Sequence, residues 1–189
     1  MTEEAKEQVI AKMEEIGPAV SVVLNINMES YFDVLTGLVD TFSKGKGLNC
    51  IYIASSVSAS TISSALTSLD IDTKKVYFVD CVSYGVMENL DGGENTVYVE
   101  SQTMLENIVL KVEYMFRMLD GKPSLVILDS INSMAMNNAT NLLSEFVQVL
   151  STMIKSKGAY IVILSVEEQL KPDLREMLSL VSDQIVTIK

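Results

Sequence analysis

Seven short runs rich in β-branched and aliphatic residues alternate along this chain with longer segments of helical period. The runs fall at residues 21–26, 50–54, 76–80, 96–99, 125–129, 160–164 and 184–188. Several, such as "LVILD" and "YIVIL", are apolar on both faces rather than alternating. Strands of that kind need cover above and below, which an antiparallel sheet with one wet face does not give. Between them, Leu105, Ile108, Val109, Val112, Phe116 and Leu119 share one helix face, as do Leu143, Phe146, Val147, Leu150 and Ile154. The pattern predicts a three-layer α/β sandwich: a mostly parallel sheet with helices on both faces.

The punctuation agrees with this reading. Gly45 and Gly47 follow the first long helix, Gly121 with Pro123 closes another, and Gly158 ends a third. Thr103 and Glu106 have the spacing of a capping box, and Pro172 suits the first turn of the last helix. The loose segment "DGGEN", 91–95, is expected to join two strands. Residues 1–16 form a separate amphipathic helix with Val9, Met13 and Ile16 on one stripe, stopped by Gly17–Pro18. The expected organisation is therefore helix 1–16 followed by one domain, 17–189. The stripe packs either on its own sheet or on a second subunit.

Composition removes whole classes of chemistry. There is no histidine, so imidazole bases, Ser–His and Cys–His pairs and the commonest zinc ligand are absent. Two cysteines, Cys50 and Cys81, lie in strand-like runs and read as buried free thiols. The 14 basic and 25 acidic residues give a net charge of −11, with only two arginines, Arg117 and Arg175, and no basic run. Nucleic-acid binding through phosphate contacts is not expected. No apolar run approaches a membrane span, and the acidic start "MTEEAKEQVIAKMEEIG" lacks the features of a signal peptide. The expected setting is the cytoplasm, with no membrane and no nucleic-acid partner.

Two stretches carry the chemistry. "AVSVVLNINMESYFDVLTGLV" is a strand, a short polar turn and a helix. "PSLVILDSINSM" is an apolar strand ending in Asp129–Ser130. The second resembles the Walker B motif of the RecA/KaiC-like ATPases, and "NCIYIASS", "GAYIVILS" and "DQIVTI" are similar in order and spacing to that family's other strands. The likeness runs from about residue 19 to 188. It implies the strand order 184–188, 21–26, 160–164, 125–129, 50–54, 76–80, with the strand at 160 between the first strand and the Asp129 strand.

In that family a glycine-rich loop with Lys and Ser/Thr holds the nucleotide phosphates, and the Walker B carboxylate holds the water shell of Mg²⁺. Transferred to this chain, the positions of first Gly, last Gly, Lys and Ser/Thr fall on Asn25, Ser30, Tyr31 and Phe32. No lysine occurs between Lys12 and Lys44, and no glycine between Gly17 and Gly37. Glu29 and Asp33 bracket the helix start, where carboxylates satisfy the helix dipole and repel a phosphate. The acidic residues that activate water in KaiC-like enzymes are replaced by Ser55 and Ser56, in a run that reads as caps and turns. Asp129 then becomes a structural residue, hydrogen-bonded to backbone N–H groups or Ser130, and is the one metal ligand if any exists.

The reading is a degenerate phosphate loop in a non-catalytic, regulatory or assembly module: a pseudo-ATPase with no cofactor and a protein or homo-oligomeric partner. The alternative is an ATP-binding enzyme or sensor with a non-standard loop, for which Lys44 or Lys155 would have to supply the missing cation and Asp129 would hold Mg²⁺. A phospho-receiver domain fits poorly, because "NINMES" and "LSVEEQ" lack its acidic cluster and lysine. A methyltransferase or dehydrogenase would need a glycine-rich first turn.

Overall fold

The computed structural model describes residues 3–84 and 95–189; most of the "DGGEN" segment lies outside them. The described strands are β1 (Ser21–Ile26), β2 (Asn49–Ala54), β3 (Val76–Asp80), β4 (Thr96–Tyr98), β5 (Ser124–Asp129), β6 (Tyr160–Val166) and β7 (Gln184–Thr187). They form one sheet in the order β4-β3-β2-β5-β6-β1-β7, every pairing parallel. β6 lies between β1 and β5, as the resemblance implies, and β4 extends the sheet beyond β3.

Side chains alternate across the sheet and build two cores. Val22, Leu24 and Ile26 of β1, Tyr52 of β2 and Ile127 of β5 face one way. They meet α1 (Glu3–Ile16), the helical run after β1, and α4 (Ala59–Ser68). Val23, Ile53, Leu128 and Ile163 face the other way, against α5 (Leu105–Met118), α6 (Ile131–Ala135), α7 (Thr140–Ser156) and α8 (Pro172–Val181). The inner strands β1, β2, β5 and β6 are buried almost throughout because helices cover both faces, which is why their sequences are not alternating, whereas the edge strands β4 and β7 stay partly exposed.

The helical run after β1 is not uniform. A 3₁₀ turn, Met28–Ser30, leads into α2 (Tyr31–Thr36), a π-helical segment (Gly37–Phe42) and a last α turn, α3 (Ser43–Gly45). Helix α1 crosses this run closely at Gly37. A Cβ added there would lie 2.6 Å from Val9 Cγ1 and 3.2 Å from the Lys6 carbonyl oxygen. Glycine at 37 therefore sets the depth to which α1 sinks. The expected stripe does the packing, with Val9 and Met13 fully buried and Ala5 added to it. Burying two such side chains is worth about 3–6 kcal/mol. The stripe is spent on its own domain, and Gly17, at φ +81°, ends the helix.

Two local expectations come out differently. The capping box at 103–106 does not form: α5 begins at Leu105 with Met104 at its cap, and the Thr103 hydroxyl pairs with Ser101 Oγ at 2.9 Å. Cys50 and Cys81 are buried free thiols, as read from the sequence; burial pushes both up to about 12, so neither is a thiolate near neutral pH.

Candidate functional site

In a parallel sheet of this kind ligands bind beyond the carboxyl ends of the strands. Asp129 stands there, last in β5 and almost completely buried. Tyr52, on the neighbouring strand β2, shares its face, since Tyr52 pairs with Ile127 and Ala54 with Asp129. Tyr31 opens α2 after β1 and reaches across the end of β6 to the same carboxylate. The hydroxyls of Tyr31 and Tyr52 both donate to Asp129 Oδ2, and their oxygens lie 3.2 Å apart. Ser56 Oγ approaches Asp129 Oδ1 at 3.4 Å.

The electrostatics follow from burial. Burial raises the Asp129 carboxyl above the usual carboxylate range, and the hydrogen bonds from Tyr31, Tyr52 and Ser56 partly offset this. Both phenols are pushed well above their ordinary value, first by burial and then by the neighbouring Asp129 charge. They remain protonated donors. The two phenols use the acceptor sites of Oδ2 and leave only Oδ1, approached by Ser56, for the water shell of a cation.

The phosphate side of the crevice is also occupied. Only residues 27–30 separate β1 from α2, and three of them form the 3₁₀ turn. The Met28 amide donates to Glu168 Oε1 at 3.2 Å, the Ser30 amide to the Asn27 carbonyl at 3.1 Å, and the Tyr31 amide to the Met28 carbonyl. A phosphate cradle needs such amides to converge on an anion. Here one is held by a carboxylate of the protein itself and two are folded back into their own turn. Glu29 and Asp33 do stand in the first turns of the 3₁₀ segment and of α2.

The positions taken from the resemblance divide accordingly. Tyr31 is brought to Asp129. Phe32 is not; it is exposed, with its ring packed edge-on against Tyr31 at 5.1 Å. Ser30 is buried in the turn. Asn25 is not a loop residue, because β1 continues to Ile26 and Asn25 pairs with Ser165 and Thr187 inside the sheet. Ser130 does not bond the Asp129 carboxylate. It caps α6, its Oγ accepting from the Ser133 amide at 3.4 Å, and the Asp129–Ser130 peptide bond is cis. Asp129 is thus held by hydroxyls, where backbone N–H groups or Ser130 were expected.

The serines after β2 do more than cap. Ser58 accepts from the Thr61 amide at the start of α4. Ser55 Oγ donates to the carbonyls of Asp129 and Ser130 at 2.9 and 3.0 Å, tying the β2–α4 turn to the β5–α6 turn. Ser133 Oγ returns a bond to the Ser55 carbonyl at 2.7 Å. Asp80, at the end of β3, organises the next turn by accepting from the amides of Ala59, Val82 and Ser83.

Neither lysine considered as a substitute cation stands at the crevice. Lys155 pairs at 2.5 Å with Asp183, which also accepts from the Ser21 amide at the opposite end of β1. Lys44 pairs with Asp40 at 3.6 Å near the far end of the helical run. Among the described residues no group of three or more His, Cys, Asp or Glu side chains could hold a metal. Sequence reasoning missed Tyr52 and Glu168. The one signal for Tyr52 is a tyrosine in an otherwise aliphatic, buried strand; Glu168 has none.

By sequence, neither a protein-family model nor a curated protein matches the chain. Solved structures do match. The KaiC-like protein PH0186 from Pyrococcus horikoshii OT3 is similar over 90% of this chain and 71% of its own, at 11% identity and a TM-score of 0.62. The flagellar accessory protein FlaH from Methanocaldococcus jannaschii is similar over 99% of this chain and 77% of its own, at 12% identity and a TM-score of 0.62. The PH0250 protein from P. horikoshii OT3 is similar over 97% and 87%, at 12% identity and a TM-score of 0.61. With the strand order, these likenesses identify the fold as RecA/KaiC-like. No helix among the described residues is long and apolar enough to cross a membrane.

Proposed function

We propose that this chain is a RecA/KaiC-like domain that has given up nucleotide and acts as a non-catalytic regulatory or assembly module in the cytoplasm, needing no cofactor and working through protein contacts. The observation that carries the reading is the capture of the Asp129 carboxylate by Tyr31 and Tyr52. Tyr31 stands where the resemblance puts the phosphate-binding lysine, and it points at the carboxylate that would serve Mg²⁺. A phenol there supplies no positive charge to a phosphate and takes the lone pairs the metal's water shell would use.

Three further features support the same reading. The amides of the short turn have internal partners. The place of the water-activating carboxylates is held by Ser55 and Ser56, whose hydroxyls bind main-chain carbonyls. With no histidine in the chain, neither serine has an imidazole to activate it.

The test is hydrolysis. Purified protein with ATP–Mg²⁺ or GTP–Mg²⁺ is expected to release phosphate no faster than a buffer control, and Asp129→Ala to release it at the same background rate. Saturable turnover in the wild type that disappears in Asp129→Ala would overturn the proposal.

A further inference from the structure

On the sheet face opposite Tyr52, helices α5 and α7 pack side by side and leave between their outer surfaces an open groove of about 630 Å³. Its floor is Val109 and Phe146. Its walls carry Leu110, Leu142 and Val149, which are 60%, 48% and 55% exposed. On the outer side of α5, Tyr114 and Met118 continue from Leu110 at four-residue steps and are also exposed. Exposed apolar side chains that are contiguous rather than scattered mark an interaction surface.

The charge around this groove says what fits it. The ionisable residues lining it are Glu106 and Glu145, and neither has an ion-pair partner among the described residues. Arg117, farther along α5, is already paired with Glu113 at 3.0 Å. A second copy of the chain would bring its own net charge of −11 and, in a two-fold contact, its own Glu106 and Glu145 against these. An anionic membrane surface is repelled for the same reason. An apolar trough between two helices, rimmed by unpaired carboxylates, matches a helix with an apolar stripe flanked by Lys or Arg.

We propose that the α5–α7 groove is a docking site for a basic amphipathic helix of a partner protein. α5 is 14 residues long, about 21 Å at 1.5 Å per residue, which accommodates roughly three to four turns. Anchors at i, i+3 or i+4 and i+7 would lie between Leu110 and Val149, with cations over Glu106 and Glu145. The inference rests on the binding-module reading for its biological role, but its chemistry does not involve the Asp129 crevice.

The test uses three labelled helical peptides of roughly 14 residues, measured by fluorescence anisotropy against the whole chain at about 0.15 M salt, where weak long-range attraction is screened. The first carries Leu at the anchor positions with Lys and Arg flanks. The second keeps the leucines with Glu flanks, and the third is a scramble of the first. The first is expected to bind saturably and at least about tenfold tighter than either control. Leu110→Asp and Val149→Asp should each weaken it by about tenfold or more, and Glu106→Lys with Glu145→Lys should transfer the preference to the Glu-flanked peptide. These positions are exposed, so the variants keep the fold, checked by circular dichroism. Equal binding of peptide and scramble, or affinity untouched by the groove variants, would overturn the proposal. So would a self-association that Leu110→Asp abolishes. Nucleotide binding, measured separately, would count against the module reading and leave the groove result standing.

Discussion

Replacing Tyr52 by phenylalanine isolates what the buried hydroxyl does. The ring is fully buried, lies 5.7 Å from the Phe78 ring, and keeps its packing in the variant. What is lost is one hydrogen bond to a buried carboxylate, which keeps its bond from Tyr31. A hydrogen bond to a charged partner contributes about 1.5–3 kcal/mol. For a domain of this size each kcal/mol moves the melting temperature by about 2–4 °C, so a fall of roughly 3–12 °C is expected. Urea denaturation at neutral pH should show a lower midpoint at unchanged m. The same substitution made on Asp129→Asn removes a bond to a neutral acceptor, worth about 0.5–1.5 kcal/mol. The cycle should therefore give a coupling on the order of 1 kcal/mol. A neutral or stabilising Tyr52→Phe, or an equal cost in both backgrounds, would refute the idea that Tyr52 holds a charged Asp129.

Three other outcomes are expected. Burial raises the folded-state value of Asp129 above its ordinary 3.8, so the native chain holds the proton more tightly than the unfolded one. The stability tied to that proton is full below 3.8 and is lost as pH rises through the folded value. The stability difference between Asp129→Asn and wild type should therefore shift toward the variant as pH is raised to neutrality; a flat difference in urea titrations would contradict this. Gly37→Ala should cost about 1–3 kcal/mol by forcing α1 away from the helical run, and Val9→Ala in the same chain should recover part of it. Equilibrium denaturation of both single variants and the double variant decides this, and strict additivity would exclude the clash. A chain starting at Gly17 should lose about 3–6 kcal/mol of stability as the cover over the first core is removed. Unchanged stability with a halved mass in sedimentation would instead make α1 an intersubunit helix.

The sheet was legible because buried parallel strands write their character into consecutive residues, and the family likeness supplied the order that periodicity alone does not. Tyr31 was legible as a position for the same reason. Its target was legible only in part, because the partner of Asp129 depends on register. Tyr52 lies two residues before the end of β2, and only the pairing of Ala54 with Asp129 puts it on the same face. Asn25 falls in the loop only by the motif positions carried over from the family, whereas the β-rich run 21–26 already takes it into the strand; β1 does run to Ile26, and that shortens the turn below what a cradle needs. Glu168 was out of reach, since its bond to the Met28 amide joins segments 140 residues apart. The capping box at 103–106 had the right spacing, but the Thr103 hydroxyl found Ser101 first. The stripe on α1 was read correctly; where it docks is settled by Gly37, whose missing side chain gives no hydrophobic signal.

The most direct measurement is calorimetric titration of ATP–Mg²⁺ into the wild-type protein to millimolar concentration, repeated with Tyr31→Ala and Asp129→Asn. If the crevice is closed by its own tyrosines and turn, the wild type gives no saturable heat. Tyr31→Ala gives none either, because removing a phenol does not recreate converging amides or a lysine. Saturable sub-millimolar binding to the wild type, abolished by Asp129→Asn, would show that the nucleotide site survives and would contradict the account.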